Sequence, residues 1–492
     1  MSQLLSIDQG TTSSRATLYG RDGDAVATFS QSLTQHYPNP GWVEHDPEEI
    51  WRGQLDCVRR VLGAAGKGDV AGIGITNQRE TTVIWERATG KPLHHAIVWQ
   101  DRRTAEFTER LKREGAEAMV RQRTGLLLDP YFSASKLTWL LDSMPGLRGR
   151  CERGEVCFGT IDSWLIFRLT GGRSHVTDLS NASRTMLFNI QTLTWDEELL
   201  RLFRVPRAML PEVLASAAHF GTTSAEVLGA EIPVTGVAGD QQAALFGQAC
   251  FTPGMAKATF GTGAFVVMNC GSRPAGGEGV LSTIAWQLPG EPVQYALEGS
   301  IFIAGAAVQW LEEGLGMIAG PAEVEALARS VADSGGVYFV PALSGLGTPY
   351  WDPYARGVIA GLTRGSGRAH LARAALEAIA FQTVDAIRAM EGASGIALRE
   401  LRVDGGATRN DLLLEIQSDL LGTAVVRPRC TESTSLGAAF LAGIGAGVLD
   451  TERIGSQWAL DRRFQPTLAP ERREEMCRGW KKCVQLSLGW AK

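Results

Sequence analysis

No apolar run in this sequence approaches the roughly 18 residues that a membrane-spanning helix needs. The longest weakly polar stretch covers only residues 301–308. The first ten residues carry no basic segment leading into an apolar one, and Asp8 interrupts them, so a secretory signal is not expected. The eight cysteines, at 57, 151, 157, 250, 270, 430, 477 and 483, form no C-x-x-C pair. That scatter suits reduced thiols and a cytoplasmic protein. The seven histidines show no H-x-x-x-H or H-E-x-x-H spacing, so no zinc site is signalled. GxxxxGK[ST] is absent, which argues against a Walker-type NTPase. With 48 Lys+Arg against 53 Asp+Glu the net charge is −5, which gives no general footprint for nucleic acid or anionic lipid. No short-period repeat or low-complexity segment appears.

What is present is a globular composition: 44% hydrophobic, 21% charged, 13 Trp and 17 Phe. At 492 residues the chain has room for about two to four domains. Glycine is in excess. Its 57 residues are about 12% of the chain against a usual share of about 7%, which favours tight turns and close backbone approach.

Residues 4–7 read as a strand, 8–14 as a polar turn and 15–19 as the returning strand. The Asp-Gly turn at 22–23 leads into a third strand at 25–29. VAGIGIT at 70–76 reads as a buried strand and 96–99 as a short one. A helical pattern follows over 102–113, with Asp101 as its expected N-cap. Meander strands followed by alternation with helices predict an α/β fold with mixed sheets.

The pattern recurs. IPVTGVA at 232–238 ends in Gly-Asp-Gln-Gln. Residues 256–260 and 264–269 flank Gly261-Thr262-Gly263 as a second hairpin. We therefore expect two α/β domains of related design, 1–249 and 250–492. Helices are expected at 370–390, at 410–421 with Gly422 as C-cap, and at 436–444. This last segment is rich in Ala and Gly and suited to very close packing. A strand at 401–403 ends in Asp404-Gly405-Gly406.

Three glycine-bearing turns thus follow short apolar strands: 8–13, 261–263 and 404–406. Glycines let backbone N–H groups approach phosphate oxygens, and Thr or Ser hydroxyls add donors. An Asp at a strand end can hold Mg²⁺ through water. Hairpin turns also use Gly and Thr for structure alone, so spacing leaves both readings open. Asp240, just past a strand, suits a carboxylate that orients a hydroxyl and takes its proton, or equally a helix N-cap. Arg79-Glu80 suits a hydroxyl-binding pair, Arg donating and Glu accepting, or a solvated turn. Trp99, Phe265 and Tyr131 could cover the C–H face of a polyol or simply pack in the core.

Several strings together carry a resemblance: QGTTSSR at 9–15, GWVEHDP at 41–47, GITNQRETT at 74–82, IVWQ at 97–100, NASRTMLFN at 181–189, GDQQAALFG at 239–247, PYWDPYARG at 349–357 and VDGGA at 403–407. They resemble the FGGY carbohydrate kinases, and NQRETT, VWQ and NASRTMLFN resemble the branch acting on glycerol. The likeness runs from residue 4 to about 485. It implies two ribonuclease-H-like, actin-like ATPase domains with ATP in the cleft between them. It also implies Mg²⁺-dependent conversion of ATP and glycerol to sn-glycerol 3-phosphate and ADP. Motif by motif, Thr11, Thr12, Ser13 and Arg15 would meet the phosphates from the first domain and Thr262 from the second. Gly305, Gln309, Gly406 and Asn410 would hold the nucleotide, with its adenosine beside Gly406 and Asn410. Arg79, Glu80, Tyr131, Asp240 and Gln241 would bond glycerol hydroxyls, Trp99 and Phe265 would pack its carbons, Asp240 would be the base, and Asp8 the Mg²⁺ partner. A homodimer or homotetramer is implied by the family's habit.

Residues 221–232 lack the glycine-rich, Arg-bearing loop that binds fructose 1,6-bisphosphate in some bacterial members. They also lack the loop histidine that others have phosphorylated; His219 does not match that motif. Two rival readings are a relative acting on another polyol or ketose, and an actin- or chaperone-like ATPase. Arg79-Glu80 and Trp99 favour a polyol pocket, for which the ATPase has no use.

Overall fold

The computed structural model describes residues 3–64 and 69–492. Two mixed sheets organise the chain. The first runs, edge to edge, Ala217–Thr222, Pro233–Gly239, Val70–Asn77, Gln3–Gln9, Ser13–Tyr19 and Ala25–Ser32. The second runs Leu281–Trp286, Gln294–Ile301, Ala264–Gly271, Met255–Phe260, Glu400–Asp404, Val425–Pro428 and Leu460–Phe464.

The two share one plan. In each, the opening strand pairs antiparallel with its hairpin partner on one side and parallel with a later strand on the other. A second parallel strand follows, closed by an antiparallel edge strand. Ile73, Ile75, Val234 and Val237 in one sheet, and Ala256, Ala258, Leu401 and Val403 in the other, are wholly buried. Strands covered on both faces carry such runs of small and branched apolar residues.

In both lobes the second parallel strand leads into a helix: Asp240–Gly247 in the first, Ser433–Gly445 in the second. These two helices cross at backbone contact. A Cβ on Gly437 would stand 1.8 Å from the Ala243 carbonyl oxygen, and one on Gly247 2.0 Å from that of Ser433. Although Ser433–Gly445 belongs to the late part of the chain, it lies on the first sheet. A Cβ on Gly74 would meet the Ala438 carbonyl oxygen at 2.0 Å, and one on Gly236 the Ala442 nitrogen at 2.3 Å. The glycine excess is therefore concentrated in part at the joint between the lobes. The helix Arg368–Ser394 buries Leu376, Ile379, Phe381 and Ile387 in the second lobe's core and ends at Gly395 with φ +68°.

The expected hairpins, strands and late helices all appear, with ends shifted by a few residues. One expectation fails: Asp101 caps no helix. The helix is Ala105–Arg113 and Thr104 occupies the cap position. The Asp101 carboxylate instead accepts the backbone N–H groups of Val43 (2.7 Å) and Arg103 (2.9 Å) and pairs with the Arg103 guanidinium. A buried ion pair that also satisfies two amides outcompetes a single capping bond. All eight cysteines are unpaired, and all but Cys430 are buried.

The crossing predicts opposite outcomes for two glycines. Gly437→Ala should destabilise by about 1–3 kcal/mol or more through overpacking against backbone. Gly392→Ala, on an exposed helical turn with nothing within 4 Å of the added carbon, should stabilise by about 0.4–1 kcal/mol. Urea denaturation of both variants checks this; equal effects would mean that the crossing tolerates separation.

Candidate active site between the lobes

The first polar turn is propped from within. The Gly10 N–H donates to the Ser13 carbonyl at 3.0 Å. The buried Gln9 carboxamide donates to the carbonyls of Gly10 (3.0 Å) and Ser13 (3.3 Å), and Ser14 Oγ donates back to Gln9 at 2.8 Å. Thr11, Thr12 and Ser13 are left at the surface of the turn, Thr12 the most open. The second turn is held by the loop before helix Gly305–Gln309. The Thr262 carbonyl accepts from the N–H groups of Ala304 (2.9 Å) and Ala306 (3.0 Å), and Gly261 accepts from Gly305 at 3.0 Å. A Cβ on Gly305 would stand 2.6 Å from the Gly261 carbonyl oxygen, so Gly305 is what lets that helix seat against the turn. Thr262 stands exposed at the tip.

At the third turn Gly405 has φ +90°, and a Cβ there would meet the Phe260 carbonyl oxygen at 2.4 Å. Gly406 is exposed with open space beside it. Asn410 caps helix Asp411–Leu421 by accepting the Leu413 N–H at 2.9 Å. Gln309, exposed on its helix, donates to Glu313 at 2.9 Å. Arg15 reaches across to Glu432 of the second lobe.

The polar floor is a buried charge cluster built from both lobes. Arg79 follows the strand Val70–Asn77; Glu298 lies in the second sheet's strand Gln294–Ile301. Arg79 contacts Glu298 through both terminal nitrogens, one at 3.1 Å, and lies 3.2 Å from Asp240 and 3.6 Å from Glu80. Arg184 donates to Glu80 at 2.8 Å and to Glu298 at 2.9 Å. Two guanidinium groups thus balance two carboxylates, each side chain 2% exposed or less. Burial alone would raise the Glu298 carboxyl, but Arg184 and Arg79 outweigh it and pull it down to about 2. Asp240 differs from these. It starts its helix without capping it, and its side chain is 34% exposed.

Two of the aromatic residues stand beside this floor. Tyr131 Oη is 3.5 Å from Arg79, and burial pushes its phenol well above the ordinary value. Trp99 meets Tyr131 edge-on at 5.5 Å, and its indole N–H donates to Thr11 Oγ1 at 2.9 Å. The aromatic wall is thereby tied to the first turn. Phe265 sits opposite Ser300 in the second sheet, half-buried. Gln241, next to Asp240, accepts from the buried Lys257 ammonium.

Asp8 is the penultimate residue of the first strand, facing Arg15 across the hairpin. Burial pushes its carboxyl up to about 7; Arg15 opposes this, while Asp240 and Glu432 add to it. A buried carboxylate at the base of a phosphate-suited turn, with Asp240 and Glu432 adding to its negative surroundings, fits Mg²⁺. Among the described residues no group of three or more His, Cys, Asp or Glu could hold a metal alone. A bound Mg²⁺ would therefore complete its shell from phosphate oxygens and water, as is usual for this ion.

Two lobes of one design, each carrying a threonine-bearing turn and joined by a buried charge cluster beside Asp240, define a carbohydrate kinase of the two-domain α/β type. The chain belongs to the FGGY family of carbohydrate kinases: the family's N-terminal domain matches residues 3–247 and its C-terminal domain residues 256–446. It is 78% identical to the glycerol kinase of Citrifermentans bemidjiense, over the full length of both chains. It is 58% identical to that of Thermus brockianus, covering 100% of this chain and 99% of the other. The crystal structure of Plasmodium falciparum glycerol kinase with ADP superposes with a TM-score of 0.95 at 37% identity, covering 99% of this chain and 98% of that one. A ligand-bound xylulose kinase from Lactobacillus acidophilus shares the fold, with a TM-score of 0.87 at 23% identity over 99% and 97% of the two chains.

Arg184, Glu298 and Lys257 were not legible as site residues. The sequence does carry a signal for the last two: each is a single charge inside an otherwise apolar strand, ALEG at 296–299 and MAKA at 255–258. Arg184 lies in the string NASRTMLFN, where nothing but the partner's position reveals its task.

Glu298 offers a direct test. Its folded pKa lies below the usual 4.5, so its contribution is fully present above about pH 4.5 and is lost as pH falls through about 2. Glu298→Gln should cost about 3–5 kcal/mol at pH 7, since two guanidinium groups lose a buried partner. Urea unfolding across pH should show the gap between wild type and variant closing toward acid. A gap below about 1 kcal/mol at pH 7 would place the cluster among surface-like pairs.

Proposed function

We propose that this protein is a glycerol kinase, transferring the γ-phosphoryl group of ATP to glycerol to give sn-glycerol 3-phosphate and ADP. The observation that carries the reading is Asp240: the one partly exposed carboxylate of an otherwise sealed charge cluster, 3.2 Å from Arg79. Full-length relatives named glycerol kinase support the choice of polyol.

In this reading Arg79, Glu80, Tyr131 and Gln241 hold the glycerol hydroxyls, while Trp99 and Phe265 flank its carbons. Asp240 orients the attacking hydroxyl and accepts its proton as the new P–O bond forms. Thr11, Thr12, Ser13 and Arg15 from one lobe and Thr262 from the other steady the phosphates, and Gly305, Gln309, Gly406 and Asn410 take the rest of the nucleotide. Mg²⁺, when bound beside Asp8, neutralises phosphate charge. Alignment and charge stabilisation then supply most of the rate. A cleft that closes around glycerol would keep water from the γ-phosphorus.

The domain division falls at 249/250, and the assembly is a homodimer or homotetramer in the cytoplasm. The location rests on the unpaired cysteines. Among the described residues no helix is long and apolar enough to cross a membrane.

Mass spectrometry of the product from ATP and glycerol, beside dihydroxyacetone, xylulose and ribulose, tests the substrate. Glycerol should be preferred; preference for a ketose would overturn the assignment. Asp240→Asn should lower turnover by at least about 10²-fold with the KM for glycerol little changed. Near-normal turnover would remove Asp240 from the chemistry.

A further inference from the structure

Lys257 lies in the middle of strand Met255–Phe260 and is fully buried. Its ammonium donates to Gln241 Oε1, to Thr259 Oγ1 at 2.9 Å and, more weakly, to the Phe265 carbonyl at 3.4 Å. These three acceptors come from both lobes: Gln241 from the helix Asp240–Gly247, Thr259 and Phe265 from the hairpin that carries Gly261-Thr262-Gly263. Burial pushes the ammonium down to about 8, while Asp404, Asp240 and Glu298 hold it up, so it carries charge at neutral pH.

An ammonium offers three donors and no acceptor. It therefore fixes which end of the Gln241 carboxamide faces inward. The oxygen must meet Lys257, and the NH₂ group must turn away from it. The neighbouring Asp240 carboxylate, when ionised, offers only acceptors. Adjacent side chains thereby present opposite hydrogen-bonding polarity.

We propose that Lys257 is a positioning residue that sets this polarity: by clamping the Gln241 oxygen it makes Gln241 a donor beside the Asp240 acceptor, selecting substrates whose adjacent hydroxyls can donate to one and accept from the other. The inference rests on reading Asp240 and Gln241 as polyol-binding residues. The glycerol backbone, with hydroxyls on neighbouring carbons, meets the requirement. Lys257 itself need not touch substrate. Its bonds to Thr259 and to the Phe265 backbone also hold the second lobe's hairpin in register with the pocket.

Steady-state kinetics on four variants tests it. Lys257→Met should raise the KM for glycerol on the order of tenfold, the equivalent of one charged hydrogen bond, and raise the KM for ATP far less. Gln241→Glu should pair with Lys257 and keep the melting temperature at or above wild type. It should nonetheless raise the KM for glycerol comparably, because a carboxylate has no N–H to give. Once Gln241→Ala is present, adding Lys257→Met should change the KM for glycerol by less than about twofold, the mark of two residues acting through one interaction. Effects that multiply instead, or a Gln241→Glu enzyme that binds glycerol as wild type does, would overturn the inference. If Lys257→Met fails to fold, Gln241→Glu decides alone. A wild-type enzyme that phosphorylates no polyol would overturn the functional reading as well. A wild type active on glycerol with unlinked variants would overturn only the role of Lys257.

Discussion

The site depends on one interaction: Glu298 of the second sheet held between Arg79 and Arg184 of the first lobe. Isolated charges at this depth would be prohibitively costly, so the arginines are tolerable only because a carboxylate arrives from the other lobe. Glu80 completes the balance by pairing with Arg184. The consequence is geometric. Arg79 cannot swing, so Asp240, 3.2 Å from it and partly exposed, has a fixed neighbour on its buried side. A residue of the second lobe thus holds both arginines of the first, and separating the lobes would dismantle the charge cluster.

The glycine-lined crossing of the helices Asp240–Gly247 and Ser433–Gly445 serves the same end by different physics. Backbone-to-backbone packing at Gly74, Gly236, Gly247 and Gly437 leaves no side chains to slide past one another. The helix that begins with Asp240 is therefore placed by rigid contacts on one side and by the charge cluster on the other. The first turn joins two strands of the sheet whose strand Pro233–Gly239 leads into Asp240, and the second joins two strands of the other sheet. Trp99, donating to Thr11 while standing against Tyr131, ties the aromatic wall to the first glycine-bearing turn through one indole.

Much of this was legible in the sequence. Short apolar strands, Asp-Gly and Gly-Thr turns, and the Ala/Gly-rich segment near the C-terminus announced the hairpins, the mixed sheets and the close-packed helix. These features are local, and local chemistry dictates them. Asp101 was misread because a capping signal competes with a partner distant in sequence: Val43 and the Arg103–Glu44 pairing decide its role. Arg184, Glu298 and Lys257 were opaque for the same reason. Their work consists of meeting residues that are 104, 219 and 16 positions away, and no spacing rule encodes such meetings. Buried charges in apolar strands do announce that some partner exists; only the fold says which.

The most direct test of the account is a crystal structure with glycerol, Mg²⁺ and a non-hydrolysable ATP analogue bound together. The account predicts a terminal glycerol oxygen within hydrogen-bond reach of the Asp240 carboxylate and in line with the γ-phosphorus. It also predicts the Glu298 contacts with Arg79 and Arg184 intact beneath them. Glycerol bound away from Asp240, or a Glu298 released from both arginines while the site is filled, would contradict it.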